Sequence, residues 1–522
     1  MPTKRLLTPK DRAAAQCISR LSLCNPFLAD RIACERQLLG DDYDASAATW
    51  NLSPALEGDD PNVEAVVGRA TELARRLRRR LDDPAVQPVD DELQLYEDVV
   101  LLVLYYRFHE RLRDMVASAA TSGGPARAPF YADFRREARE LLAPPGRELP
   151  ALRELGHVFA CLYQIRRAFH HVFFFLVGAS EPTARLRAAV WQSIFSHDMR
   201  RYRQTLHRHM ADYAVLIHGP SGSGKELIAR AIGFSRYIPF REREQQFTED
   251  FLGSFQVLHI AAMAPNLIES ELFGHKRGAF TGAVSDRQGW FEQCPPLGTV
   301  FLDEIGELDP QIQVKLLRVL QSRTFQRLGE TRTRQFHGKV ITATHRDLGE
   351  AIEAGSFRED LFYRLCGDQI EVPTLRDRVR SDPQELGDLL LFLARRELGD
   401  DAAVVAEEAG QWIREHLGDD YDWPGNVREL EQCLRNIVLR REYRPRSRRR
   451  LDQRDGLLRA VGDGALTAAE LLRRYVTQVV VDAGDNLEAA ARRLELDRRT
   501  VKRHLDAELA DELRATNSRR SR

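Results

Sequence analysis

Cysteine is scarce in this chain and badly placed for metal or disulfide chemistry. The seven residues, Cys17, Cys24, Cys34, Cys161, Cys294, Cys366 and Cys433, never fall in a C-x-x-C spacing. Neither a zinc site nor a disulfide framework is expected, and the thiols read as reduced. Long apolar runs are also missing. The longest, Val99–Tyr106 and Val172–Val177, are far shorter than the ~20 residues a membrane helix needs. The opening MPTKRLLTPKDR is basic but lacks the apolar centre of a secretion signal. Net charge is nearly absent too, at −1, although the charge is unevenly spread. These absences predict a cytoplasmic protein with no membrane partner. What remains, 43% hydrophobic and 30% charged residues over 522 positions, is the composition of a soluble globular chain of several domains.

Residues 1–185 read as a helical region whose regulatory type the sequence does not reveal. Val63–Arg80 and Glu92–Met115 carry apolar residues at helical spacing, and breaks fall at Ser122–Pro129 and Ala143–Pro150. Strands followed by acids, as in a phospho-acceptor receiver, are not found there. His170 and His171 invite a ligand reading, but adjacent positions on a helix face different ways, so core and edge packing is expected. Residues 186–375 alternate short apolar strands (Ala214–Ile217, Val300–Leu302, Val340–Ala343) with helical segments, the pattern of a parallel α/β sheet. Residues 376–440 are helical again. An Arg-rich linker at 441–463 and a small all-α unit at 464–522 complete the chain.

Chemistry enters with GPSGSGKE. Gly219, Pro220, Ser221, Gly222, Ser223, Gly224, Lys225 and Glu226 stand between a predicted strand and a predicted helix, the context of a phosphate-binding loop. Glycines let backbone N–H groups face the phosphates, the helix N-terminus adds a favourable dipole, and Lys225 reaches the terminal phosphates. Glu226 departs from the usual Ser or Thr that helps to hold Mg²⁺. Downstream, TVFLDE passes four apolar residues through a core and delivers Asp303 and Glu304 at the strand's end. One carboxylate suits Mg²⁺ and the next suits the attacking water, so ATP and Mg²⁺ are the expected cofactors.

Between these halves lies GHKRGAFTGA. Together with IESELF, GTVFLDEIGEL, VKLLRVLQSRTFQRLGE, FREDLFYRL and WPGNVRELEQ, it makes residues 190–440 resemble the AAA+ domain of sigma-54-dependent transcriptional activators, the bacterial enhancer-binding proteins. The resemblance implies an ATPase subdomain at 186–375 with a helical lid at 376–440. It implies that Lys225 binds phosphate, Asp303 holds Mg²⁺ and Glu304 activates water. Arg358 and Arg364 match the arginine fingers that reach a neighbour's ATP across a ring, expected to be a hexamer, and Arg428 matches the lid's nucleotide sensor. Gly278, Ala279, Phe280, Thr281, Gly282 and Ala283 match the loop that contacts the sigma factor, with Phe280 and Thr281 at its tip.

Two positions depart from the family pattern. His259 and His345 stand where Asn is usual, close to the catalytic acids. A neutral imidazole donates one hydrogen bond much as Asn does, but it titrates near neutrality, so an altered pH dependence is expected. An extra segment around Arg241–Phe255 has no assigned role.

At the end of the chain, DNLEAAARRLELDRRTVKRHLD reads as a helix-turn-helix. Asp485 with Glu488 fits a capping box for the first helix, and Asp497 caps the second. Arg498, Arg499, Thr500, Lys502, Arg503 and His504 then form a basic recognition helix around Val501. Residues 440–522 hold roughly 21 Lys and Arg against about 14 Asp and Glu, an excess that favours DNA phosphates. The module resembles the Fis-type unit of enhancer-binding proteins. The expected function is an ATP-driven activator that binds upstream double-stranded DNA and remodels sigma-54 RNA polymerase holoenzyme to open promoters. The competing expectation is a DNA-binding regulator whose inert ATPase switches on nucleotide occupancy alone.

Overall fold

The computed structural model describes residues 4–45, 61–445, 461, 466–506 and 509–510. Most of the expected 441–463 linker, and residues 511–522, lie outside them. The chain divides into two compact units, Met1–Leu439 and Arg440–Arg522. Among the described residues no helix is long and apolar enough to cross a membrane.

The first part of the larger unit is helical, as the spacing predicts. Pro9–Leu23 starts on Thr8, whose side chain accepts from the Asp11 N–H while Asp11 answers in a capping box. Pro61–Leu81 buries Val66, Ala70, Leu73, Ala74 and Leu77 on one stripe and leaves its arginines outward. Asp90–Ser122 runs through the middle, burying Tyr96, Val99, Val103 and Leu104. Leu155–Phe175 then packs along the phosphate-loop helix Lys225–Phe234. The adjacent imidazoles part on that helix. His171 is buried against Phe234 and Phe251, while His170 stacks over Phe174.

Five parallel strands form the central sheet, in the order Asp368–Glu371, Val215–His218, Lys339–Thr344, Thr299–Asp303, Phe255–His259. The three inner strands are almost wholly buried, which is why they read as continuous apolar runs rather than alternating ones. Register pairs His218 with Thr344 and His259 with Asp303. The side chains of interest therefore gather at the strands' C-terminal edge. Four helices, Leu375–Ser381, Gln384–Leu398, Ala402–His416 and Asn426–Arg440, follow the sheet.

The extra segment after the phosphate-loop helix joins the helical region to the sheet domain. Phe240–Arg241 pairs with Gln246–Phe247 in a short antiparallel ladder. Phe247 N–H donates to the Ala126 carbonyl and Ala128 N–H to the Gln245 carbonyl, both at 2.9 Å. The Phe240 ring lies 4.7 Å from both Tyr131 and Phe159, and Phe247 lies 4.5 Å from Tyr163. Arg167, 1% exposed, donates to the carbonyls of Phe234 (2.9 Å) and Arg236. One apolar core thus runs from the N-terminal helices into Phe234, Ile238, Phe240, Phe247 and Phe251.

In the smaller unit, Ala468–Asp482, Leu487–Leu494 and Arg498–His504 close around Val476, Val480, Ala490 and Val501. The expected cap of the middle helix shifts by one residue. Asn486, not Asp485, accepts from the N–H groups of Glu488 (3.0 Å) and Ala489 (3.1 Å). Asp485 sits at φ +63°, the left-handed turn that follows Gly484, and so cannot take the extended backbone of an N-cap.

Candidate functional site

The strand Val215–His218 hands the chain to the Gly219–Glu226 loop, whose glycines are used for space as well as conformation. Gly222 has φ +76°, and a side chain there would meet the Gly425 carbonyl at 2.3 Å. Lys225 is 7% exposed and donates to the carbonyls of Gly219 (2.9 Å) and Pro220 (3.2 Å). Burial pulls its ammonium pKa down from the usual lysine value, opposed by the carboxylates Glu304 and Asp303. Ser223 closes the loop through Oγ to the Pro220 carbonyl at 2.8 Å. Glu226 is engaged on its own helix, accepting from Arg230 Nη2 at 2.6 Å and Nε at 3.0 Å.

Opposite the loop stand the two acids. Asp303 Oδ2 lies 3.1 Å from His259 Nδ1, a contact set directly by the strand register. Glu304 leaves the strand at φ +59°, an unusual conformation for a non-glycine residue, and opens a short turn. Its Oε2 accepts from the His345 N–H at 3.2 Å and lies 2.7 Å from His345 Nδ1. Both departures from the expected Asn thus make the same type of contact, imidazole to carboxylate, one on each acid.

The helical segment after the sheet reaches the same loop. Arg428 donates from Nη1 to Ser221 Oγ at 3.2 Å, and its N–H reaches the Gly222 carbonyl at 3.3 Å. Asn426, which sequence reasoning gave no role, ties both sides. Its Nδ2 donates to the Ser221 carbonyl at 3.0 Å, and its Oδ1 accepts from Leu375 N–H at 2.9 Å. The signal was its place two residues before Arg428 in WPGNVREL. Arg358 is the N-cap of the helix Glu359–Leu365 and Arg364 lies in its last turn, and both are exposed. Arg358 forks onto Asp360 with bonds of 3.0 and 2.7 Å.

The Gly278–Ala283 loop is closed on itself. Gly278 N–H donates to the Ala283 carbonyl at 2.9 Å, and Ala283 N–H to the Phe280 carbonyl at 3.0 Å. Gly278 and Gly282 take φ +83° and +101°, which permits the tight return. Thr281 is exposed, whereas Phe280 is half-buried, edge-on to His275 at 5.0 Å between ring centres. His275 is itself held by Ser270 at 2.7 Å. The loop base is pinned by Asp286, which accepts from Lys276 Nζ at 2.5 Å and Arg277 N–H at 2.9 Å.

On the smaller unit, Asp497 caps Arg498–His504 by accepting from Arg499 and Thr500 N–H groups, both at 2.9 Å. Thr500 Oγ is also committed to Asp497, at 2.5 Å. Arg498, Arg499, Lys502 and Arg503 remain exposed on one short helix, with His504 partly so.

Residues 194–371 match the Sigma-54 interaction domain. The Nif-specific regulatory protein of Azotobacter vinelandii is 45% identical over 228 residues, covering 44% of this chain and 40% of that protein. The transcriptional regulatory protein ZraR of Salmonella typhimurium is 44% identical over 229 residues, covering 44% and 48%. The chain therefore spans about half the length of the curated relatives it matches. NtrX from Brucella abortus in complex with ATP aligns over 72% of this chain and 79% of its own, at 21% identity and a TM-score of 0.37. Residues 194–371 thus carry a sigma-54 interaction domain, and the chain is similar over less than half of its length to these two transcriptional regulators.

Proposed function

We propose that this protein is an ATP-hydrolysing activator that binds upstream DNA and remodels sigma-54 RNA polymerase through its Gly278–Ala283 loop. The observation that carries this reading is the convergence of three sequence-distant groups. The phosphate loop with its buried Lys225, the acids Asp303 and Glu304, and the Arg428 lid contact all meet at one sheet edge. The donor set suits Mg²⁺. Oδ2 of Asp303 is occupied by His259, which leaves Oδ1 to take the ion through water. Mg²⁺ held there would supply charge to the triphosphate.

The chain's own groups divide the remaining work. Lys225 would exchange its loop carbonyls for phosphate oxygens, a trade of weak acceptors for charged ones. Glu304, oriented by the His345 backbone N–H and ring, would take the proton of the attacking water. Arg358 and Arg364, exposed on one helix, would complete the site of a neighbouring copy in a ring, expected to be a hexamer. Nucleotide-driven movement of the loop would then free Phe280 from His275 and present it with Thr281 to the sigma factor. The basic helix Arg498–His504 would hold the assembly on double-stranded DNA.

A second reading is favoured by one observation. Each catalytic acid is held by a histidine, so a protein that binds nucleotide without turning it over is consistent with the same geometry. ATP turnover measured against protein concentration, with Glu304→Gln as the blank, separates the two. A steep rise with concentration supports trans-acting fingers in an assembled ring. Turnover no greater than the blank at every concentration sinks the hydrolytic reading and leaves the occupancy switch.

A further inference from the structure

The helical region joins the sheet domain through residues 176–183, between the helix Leu155–Phe175 and the first turn of Glu181–Phe195. Two buried arginines take the carbonyls of this segment. Arg187, 0% exposed, donates to those of Leu176 (2.6 Å) and Gly178 (2.7 Å), and Arg378 donates to that of Val177. Its N–H groups go to Glu385, also 0% exposed, in the first turn of Gln384–Leu398. Oε2 accepts from Ala179 N–H at 2.7 Å and Ser180 N–H at 2.8 Å. Oε1 accepts from Thr183 Oγ1 and Arg378 Nε, both at 2.6 Å. The backbone leaves room for this carboxylate, since a side chain at Gly178, φ +124°, would meet Oε1 at 2.1 Å.

A carboxylate offers about four acceptor sites, and here four donors fill them. Burial alone would push the Glu385 carboxyl up, but Arg378, Thr183 and the Ser180 N–H hold it below the usual glutamate value, so it is charged at neutral pH. A buried ion pair of this kind adds little stability beyond what apolar side chains of similar volume would give. What it adds is geometry, because three separate stretches of chain must be in place for its bonds to form.

The bonds continue toward the phosphate loop. Arg378 stands on the helix Leu375–Ser381, whose first N–H, that of Leu375, donates to Asn426 Oδ1 at 2.9 Å. Asn426 Nδ2 donates in turn to the Ser221 carbonyl at 3.0 Å. One short helix is thus tied to Glu385 by its arginine and to the phosphate loop by its first turn. The acids Asp303 and Glu304 lie outside this run of bonds, in contact with His259 and His345.

We propose that Glu385 is a positioning residue for the nucleotide: by fixing Arg378 and residues 179–183 together, it sets through Asn426 where the phosphate loop stands. This rests on the reading of the Gly219–Glu226 loop as an ATP site given above. Loss of the carboxylate frees the helix Leu375–Ser381 to shift, and Asn426 and Ser221 shift with it. Nucleotide affinity falls, while the acids that act on water keep their places and turnover at saturation is retained.

The test uses the full chain, with a methylanthraniloyl derivative of ATP as the fluorescent binding probe and steady-state ATP turnover beside it. Glu385→Gln keeps the volume and removes the charge, and its NH2 group must face either two backbone N–H groups or Arg378. The Kd for the probe and the KM for ATP should rise together by about two- to thirtyfold, the span such side-chain networks transmit, with kcat within about twofold. Thr183→Val withdraws one of the four donors and keeps the ion pair, so a rise near the lower end of that span is expected. Asn426→Gly, which suits the φ of +53° there, cuts the route at its other end. Along one continuous route, Glu385→Gln combined with Asn426→Gly raises Kd no further than the larger single effect. A lower melting temperature with unchanged Kd and KM in both Glu385→Gln and Thr183→Val would mark a merely structural residue and overturn the proposal. Effects that multiply in the double variant overturn the route through Asn426. A parent that binds the probe but turns over no more ATP than Glu304→Gln fails the hydrolytic reading alone, and the Kd comparison still decides the role of Glu385. A parent that binds no probe removes the ATP site itself, and the role of Glu385 with it.

Discussion

His345 holds Glu304 at two points, with its backbone N–H 3.2 Å and its ring Nδ1 2.7 Å from the same carboxylate oxygen. The backbone contact survives any substitution, and the ring contact does not. Glu304 also sits at φ +59°, an unusual backbone conformation for a non-glycine residue. His345→Asn, which retains a donor, should keep turnover within a few-fold. His345→Leu should lower kcat by about tenfold to hundredfold through misplacement of the base. Glu304→Gln should lower it by more than ~10² with nucleotide binding retained. Steady-state turnover paired with a nucleotide-binding assay checks all three. A His345→Leu protein with unchanged kcat would remove the ring from the mechanism.

Arg358 gives a prediction that no single copy can satisfy alone. It is 46% exposed at the side chain and, among the described residues, pairs with Asp360, two residues on, which raises its pKa further above the usual arginine value. An exposed fork of this type exchanges partners easily when a charged phosphoryl group arrives. Arg358→Ala should lose about 10³ in turnover. Mixed with Lys225→Ala, which retains its fingers but not its phosphate contact, part of the activity should return. Failure of every mixing ratio to restore turnover would argue against a shared site.

The candidate site was legible because its groups lie in contiguous strings. GPSGSGKE, TVFLDE and WPGNVREL each combine their own structural context with their reactive groups, and the parallel sheet needs only register to bring them together. The link between the helical region and the ATPase was not legible. Tyr131 donates to Glu242 at 2.6 Å and Phe159 packs on Phe240, contacts spanning about a hundred residues or fewer, and helical periodicity does not name a partner. Asp485 was misread for a local reason, since one positive φ moves the cap to Asn486. Phe280 shows a third limit. A glycine-flanked aromatic reads as an exposed tip, but the folded chain offers it His275.

Arg167 tests the link itself. Its guanidinium is fully buried and serves the carbonyls of Phe234 and Arg236, where the phosphate-loop helix ends and the extra segment begins. Burial lowers its pKa only to about 10, so it stays charged at neutral pH. Arg167→Leu removes that charge but orphans both carbonyls. A loss of roughly 3 kcal/mol is expected, seen as a lower urea midpoint. A midpoint within error of the parent would mean that the helical region and the sheet domain hold together without it.

Lys339 provides a pH signature. It begins an inner strand, is 2% exposed, and donates to the carbonyls of Met210 (2.9 Å) and Tyr213 (3.1 Å). Burial lowers its pKa from 10.5 to about 7. The unfolded chain therefore binds the extra proton between these values, and folding stability rises with pH across that window. The penalty is complete below pH 7 and fades above it. Buried cysteines such as Cys161, raised to about 12, begin to reverse the trend once unfolded thiols ionise near 9. Lys339→Met should flatten the rise between pH 7 and 8.5, by up to ~1.4 kcal/mol per pH unit. Melting curves of the two proteins across that range decide it, and parallel slopes would refute the assignment.

The basic helix makes the last prediction, and its geometry separates two kinds of arginine. Val501 is buried beneath it, Thr500 is committed to Asp497, and Arg498 lies 3.7 Å from Glu488. Arg499, Lys502 and Arg503 are exposed with no such neighbour in contact among the described residues, so they are the candidates on this helix to meet DNA phosphates or base edges. A phosphate contact is read by its salt dependence, because each one releases counterions. Lys502→Ala should weaken binding to all duplexes alike and lower the slope of log K against log salt by about one. A base contact behaves otherwise. If Arg499 reads a guanine edge, Arg499→Ala should cost about 1–3 kcal/mol on the preferred site and much less on unrelated DNA. Arg498→Ala, already shared with Glu488, should matter least. Titrations at several salt concentrations on specific and random duplexes rank the three, and an Arg498 effect equal to the others would mean that the Glu488 contact opens when DNA is bound.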